Sequence, residues 1–317
     1  MRTQVVETAQ GPIETAIVGR GPAVLVIPGC PGGYAQGLIA ARLAKGQRFK
    51  FIALSRPGYM GTPLAVGDTP ESQADAYAAL LDALEIDKAA IIGISGGGPS
   101  ALQFALRHPN RCWALATVSA ISQRLTQAEV RNCKSFLRRL RFTVGLASGL
   151  ARNLISVMVQ RWRKIFASVI SINRDFDAQA MSHQENLVIF LRLMRSFGTV
   201  SLRKDGLQND MFQLSTMPTY PLENIVVPTL VLHGRGDRLV PLAHAKFIAK
   251  TVPEAKLVAV KKGGHLFFAT HRQQVVPAVV EFLKHSARKV ISGNRRLPTA
   301  DTDSRTLGTV PDSFSPA

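Results

Sequence analysis

The sequence predicts an α/β protein built on a mostly parallel sheet covered on both faces, with a helical segment inserted into it. Three observations predict this. Short apolar, β-branched runs alternate with helix-patterned segments over residues 20–120 and again after residue 225. The alternation stops over residues 121–224, where the periodicity is helical and no run reads convincingly as a strand. Residues 89–108, AAIIGISGGGPSALQFALRH, compress a strand, a very tight turn and a helix into one stretch, with Ser95 at the turn.

Taken in order, residues 4–18 read as two short strands joined at Gly11-Pro12. Residues 23–27 are continuously apolar, the mark of a strand buried on both faces. They end in Pro28-Gly29-Cys30-Pro31-Gly32-Gly33, a loop at the carboxyl edge where α/β sheets hold ligands. Gly29 and Tyr34 are therefore candidates for a pocket wall. A helix is expected at 34–45 and a strand at 49–54, closing in Ser55-Arg56-Pro57-Gly58-Tyr59. Thr69-Pro70-Glu71 opens the next helix, whose Ala74, Tyr77, Leu80, Leu81 and Leu84 recur at helical spacing. A strand at 113–119 follows the Ser95 unit. After the insertion come a strand at 229–233, a helix at 241–250, a strand at 256–260 and a helix at 273–285. Residues 1–120 and 225–285 thus form the core and 121–224 a helical cap. Gly, Pro, Ser, Thr, Asp and Arg dominate 286–317, which reads as a disordered tail.

Composition narrows the class. At 317 residues and 46% apolar, the chain can bury a large core. MRTQVVETAQ has no apolar h-region, so no signal peptide is expected, and no apolar run approaches a membrane span. Three scattered cysteines, Cys30, Cys112 and Cys133, fit neither a disulfide framework nor a zinc site, and a cytoplasmic location is the expectation. The net charge of +18 is unusual. Ten basic residues and no acidic ones lie between 131 and 174, among them Arg131, Arg138, Arg139, Arg161 and Arg163. They interleave with apolar residues at helical spacing. Three readings stand: a solvated basic face over a packed apolar one, weak contact with an anionic membrane surface, or a basic pocket mouth for an acidic substrate. No nucleic-acid-binding module accompanies the charge, so nucleic acid is not an expected partner.

The candidate chemistry starts at Ser95. Gly93 and Gly97 flank it two residues away, completing G-x-S-x-G, since a turn this sharp leaves no room for neighbouring Cβ atoms. A serine hydroxyl is inert without a base, and the base needs an orienting acid. His265, in Gly263-Gly264-His265, and Asp237, in His233-Gly234-Arg235-Gly236-Asp237, follow strands whose carboxyl ends share an edge with Ser95. As alternatives, Asp237 caps the helix near Pro241 and His265 is an ordinary loop histidine.

With these motifs in hand, the chain resembles an α/β-hydrolase-fold serine hydrolase with a helical cap, of the group holding carboxylesterases, carbon–carbon bond hydrolases and proline iminopeptidase-like peptidases. The resemblance covers residues 20–120 and 225–285, and the cap only in position and length. It implies Ser95 as nucleophile, Asp237 as acid and His265 as base. It also implies an oxyanion hole from the backbone N–H groups of Gly96 and Cys30. The family usually has His-Gly-x-Pro-Gly around the latter. Here Pro28 replaces the His, which leaves open what supports the loop, and Cys30 could instead be a reactive thiol. No metal or cofactor is implied. The expected function is hydrolysis of a small carboxylic ester with an apolar group through an acyl-enzyme. A carbon–carbon bond hydrolase, an aminopeptidase, and a non-catalytic ligand receptor or anionic-membrane-surface binding protein are the alternatives.

Overall fold

The computed structural model describes residues 3–43, 48–149, 184–197 and 203–293. Eight strands form one sheet in the order β1-β2-β4-β3-β5-β6-β7-β8. The hairpin of β1 (Thr3–Val6) and β2 (Ile13–Gly19) is antiparallel and joins β4 (Lys50–Leu54) antiparallel. From β4 through β3 (Ala23–Ile27), β5 (Ala89–Ile94), β6 (Cys112–Val118), β7 (Thr229–Gly234) and β8 (Lys256–Val260) every pairing is parallel. Strands β3, β5 and β8 occupy the residues the sequence predicts.

Period-two alternation divides the core into two layers. Leu25, Ile91, Leu115 and Val231 face one side, and Val24, Ile92, Ala116 and Leu232 the other. Both sides are covered, which is why these strands read as continuous apolar runs. Helices α2 (Pro70–Ala83) and α3 (Gly98–Arg107) cover the first face through Tyr77, Leu80, Leu102 and Phe104. At the start of α2, the Ser72 N–H donates to Thr69 Oγ1 at 3.1 Å and the Thr69 N–H to Ser72 Oγ at 3.0 Å, a reciprocal cap that fixes where the helix begins. The second face is covered by α1 (Tyr34–Leu43) and by the C-terminal helix.

Between β6 and β7 the described residues are helical: α4 (Gln127–Gly149), α5 (Gln184–Ser196) and α6 (Lys204–Thr216). Along the first turns of α4, Cys133 is buried and Phe136 half-buried, while Arg131, Lys134, Arg138 and Arg139 are exposed. Arg141 also falls on α4, and the basic stretch from Arg152 onward lies outside the described residues. Among the described residues, no helix is long and apolar enough to cross a membrane.

After β7 come α7 (Leu242–Thr251), the short α8 (Phe267–Thr270) and α9 (Arg272–Gly293). The last of these corrects the expected tail. The helix does not stop at 285: Leu283 and Ala287, four residues apart, both pack on the second face, and Ser286 is buried beside them. Polar composition hid this last core contact. Residues 294–317 lie outside the described residues.

Candidate active site

The parallel order places five loops at one edge. Because β3 lies between β4 and β5, the Pro28–Gly33 loop is flanked by Ser95 on one side and Arg56 on the other. Ser95 sits at the turn with φ +50°, a left-handed conformation that a serine adopts only under constraint. The flanking glycines are required by contact. A Cβ on Gly93 would stand 2.4 Å from the Ala101 Cβ, and one on Gly97 2.6 Å from the Pro28 carbonyl oxygen. Gly29 lies so close that its Cβ would meet Ser95 Oγ at 3.4 Å. A Cβ on Gly96 would be 3.4 Å from the Cys30 nitrogen. The two backbone nitrogens expected to donate to an oxyanion are therefore neighbours beside Ser95.

Two further loops bring a histidine and a carboxylate to this point. They are sewn together where the Gly236 N–H donates to the Gly263 carbonyl at 2.8 Å, at a crossing where a Gly234 Cβ would come within 2.4 Å of the same oxygen. His265 Nε2 lies 3.0 Å from Ser95 Oγ, and His265 Nδ1 lies 2.8 Å from Asp237 Oδ2. Asp237 uses both oxygens, since Oδ1 accepts the N–H groups of Leu239 and Val240 at 2.9 Å each. Those two donors belong to the turn before α7, and the N-terminus of α7 has no side-chain cap, so Asp237 does not cap that helix as the alternative reading expected. Burial pushes its pKa up, but His265, His233 and the backbone donor outweigh that and hold it below the usual carboxylate value. Ser119 Oγ donates to the His265 carbonyl at 3.3 Å, tying the histidine loop to the end of β6.

Sequence reasoning missed what stands behind Cys30. Asp210, on α6, is buried and accepts from Arg56, from Tyr59 Oη and, at 2.7 Å, from Cys30 Sγ. Arg56 is 2% exposed, so this is an ion pair in the protein interior. Burial and Asp210 push the Cys30 thiol well above its ordinary pKa, which disfavours the thiolate that a reactive cysteine needs. Buried Arg203, just ahead of α6, donates to the Pro31 carbonyl at 3.1 Å, and Gln36 donates to the same oxygen. The loop that lacks the family's histidine is therefore held from the segment between β6 and β7. Only the Arg56-Tyr59 motif was visible in the sequence; Asp210 has no local signature.

A cavity of about 110 Å³ opens beside Ser95 and His265, lined by Gly29 and Cys30 and otherwise almost wholly by apolar side chains. Tyr34 is not among its walls, which corrects that expectation. Although it follows the loop directly, Tyr34 turns towards Ala16, Leu38 and Ala53 and packs there with Val18. Among the described residues, no cluster of three or more His, Cys, Asp or Glu could hold a metal ion.

His108, His233 and His244 have structural partners. His233 is held at the strand end, with Nε2 2.9 Å from the Val240 carbonyl. His108 meets Asp75 at 2.8 Å. His244 Nδ1 accepts the Ser122 N–H at 3.2 Å, an acceptor role that protonation would destroy. His183 lies outside the described residues. Burial lowers the pKa of both His233 and His244, against the upward pull of Asp237 and Glu129. Unfolding exposes these rings to water, where they take up a proton near pH 6.5. Their contribution to stability is therefore complete above about pH 6.5 and is lost as the pH falls below it, at up to about 1.4 kcal/mol per pH unit for each ring. The melting temperature is expected to fall between pH 7.5 and 5.5, and less steeply in His244→Gln. Calorimetry across that range checks the slope.

This sheet, and the loops that converge on its carboxyl edge, define a hydrolase. The chain belongs to the α/β hydrolase fold family, whose model matches residues 22–272. It is 26% identical over 282 residues to the uncharacterized hydrolase YcgS of Bacillus subtilis, covering 84% of this chain and 93% of that one. It is 28% identical over 246 residues to a 2-hydroxy-6-oxononadienedioate/2-hydroxy-6-oxononatrienedioate hydrolase of Paraburkholderia xenovorans, covering 75% of this chain and 77% of that one. Among solved structures, an α/β hydrolase fold protein from Nakamurella multipartita superposes with a TM-score of 0.75 at 32% identity, over 90% of this chain and 99% of that one.

Proposed function

We infer that the protein is a serine hydrolase working through Ser95, His265 and Asp237, with residues 121–224 as a cap over the site and a carboxylic ester carrying an apolar group as substrate. The observation that carries this reading is the continuous chain from Asp237 Oδ2 through both nitrogens of His265 to Ser95 Oγ, ending at an apolar cavity.

The steps follow from the geometry. His265 Nε2 accepts the Ser95 proton as Oγ bonds to the ester carbonyl carbon. Negative charge gathers on the carbonyl oxygen, where the Cys30 and Gly96 N–H groups receive it. The proton held on His265 passes to the departing alkoxide as the ester C–O bond breaks, leaving an acyl group on Ser95. Water, deprotonated by His265, then cleaves the acyl–Oγ bond and restores the serine. Asp237 keeps Nδ1 protonated and the ring aimed throughout.

The Paraburkholderia relative suggests carbon–carbon bond cleavage as an alternative. Its named substrates are dioates, however, and among the described residues the cavity lining holds no Lys or Arg to pair with a second carboxylate. The ester reading is therefore preferred. Hydrolysis of p-nitrophenyl butyrate tests it. Turnover that a fluorophosphonate abolishes supports the reading; no turnover by folded protein would overturn it.

A further inference from the structure

Resting on that reading of Ser95 as the acylated residue, we propose that the cavity is an acyl slot running from the serine into the layer between the sheet and its covering helices, so that the substrates are esters of unbranched, medium-length fatty acids. One cavity links two regions. Its walls begin at Ser95 and His265 and continue to Phe51 on β4, Ile92 on β5 and Val118 on β6, all of which belong to the sheet's second apolar layer. Opposite them stand Ala40 of α1 and Val275, Val276, Val279 and Val280 of α9.

The α9 residues recur at positions i, i+1, i+4 and i+5, which is one face of a helix. Along that face all four side chains are valines, smaller than the leucine or phenylalanine that would fill the space they border. Protein interiors ordinarily leave no void larger than a water molecule, and an empty apolar void destabilises the fold. This one is retained, and it adjoins the serine.

Its shape selects the ligand. Strands β4 and β6 are three spacings apart, about 14 Å. A volume of about 110 Å³ shared between residues on strands that far apart is a narrow slot, which suits a single methylene chain better than a ring or a branched group. The slot suits the acid side of the ester rather than the alcohol side. Its inner end is walled by the sheet core, and Phe51, Ile92 and Val118 are each almost fully buried. A released alcohol has to leave before water attacks, and it could not leave through that wall. The acyl chain stays bonded to Ser95 and rests in the slot until hydrolysis frees the acid.

The experiment compares p-nitrophenyl acetate, butyrate, octanoate and dodecanoate, followed by hexyl acetate against ethyl hexanoate. Each methylene the slot buries is expected to raise kcat/KM about fourfold, giving a rise from acetate towards octanoate and a fall once the slot is full. Ethyl hexanoate is expected to outpace hexyl acetate. In Ala40→Leu and in Val279→Phe, which fill the slot from two different helices, the octanoate-to-acetate ratio is expected to drop at least about tenfold. A ratio measured on one preparation is insensitive to any unfolded fraction. A flat chain-length profile, a preference that follows the alcohol, or an unchanged ratio in both variants would overturn the slot. If a small fluorophosphonate still labels the protein in those cases, the serine-hydrolase reading survives without it. Absence of labelling is the failure of that reading instead.

Discussion

Replacing Ser95 by Ala is expected to lower kcat/KM for p-nitrophenyl butyrate by about 10⁴-fold or more, with no loss of melting temperature. The kinetic effect follows from the hydrogen-bonded chain. On the proposed mechanism, removing Oγ deletes the attacking atom and leaves His265 without a proton to accept. Serine nucleophiles held in such chains behave as a unit with their base, so one deletion removes most of the rate enhancement. The stability effect has a different origin. Ser95 holds φ +50°, so its backbone is already strained, and Ala pays no larger penalty there than Ser. The variant should therefore fold, and a melting curve taken beside the kinetics distinguishes lost chemistry from lost structure.

The second large effect is expected at Asp210. Asp210→Ala leaves the Arg56 guanidinium buried without its carboxylate and Tyr59 Oη and Cys30 Sγ without their acceptor. Breaking a buried ion pair on one side costs about 3–5 kcal/mol, enough to lower the melting temperature by many degrees. Activity measured well below the melting point should also fall, roughly 10-fold to 100-fold, because the loop that carries the Cys30 N–H loses its anchor; loss of an oxyanion donor outright costs about 10²–10³. Asp210→Asn preserves an acceptor without the charge and should lie between wild type and Ala in both measurements. If Asp210→Ala loses stability but retains full kcat at low temperature, the network serves the fold alone.

These two residues also mark what could be read from the sequence. The turn that holds Ser95 was legible because it is written locally: a buried strand, glycines two residues either side and a helix. Asp237 and His265 were legible from their place just past strands, which puts them on the serine's edge. Asp210 was invisible because it is one acid in a helical stretch, and nothing local says that its helix packs on the Arg56 loop. The Gly206 N–H donating to the Gly58 carbonyl at 2.9 Å makes that contact, across a long sequence separation. Tyr34 was misread for a related reason. Adjacency in sequence to a ligand loop does not fix which way the first helical residue turns, and Tyr34 turns to the β2–β4 side of the sheet. The end of α9 was missed because its buried face continues through Ser286 and Ala287 into a segment whose overall composition is polar. Strand positions were the most legible part of the fold, since burial on both faces requires unbroken apolar runs.

The most direct test of the central claim is intact-protein and peptide mass spectrometry after reaction with a fluorophosphonate. The account predicts a single adduct, mapped to Ser95, formed rapidly by wild-type protein, slowly by His265→Ala and not at all by Ser95→Ala. An adduct on another residue, or equal labelling of wild type and His265→Ala, would contradict it.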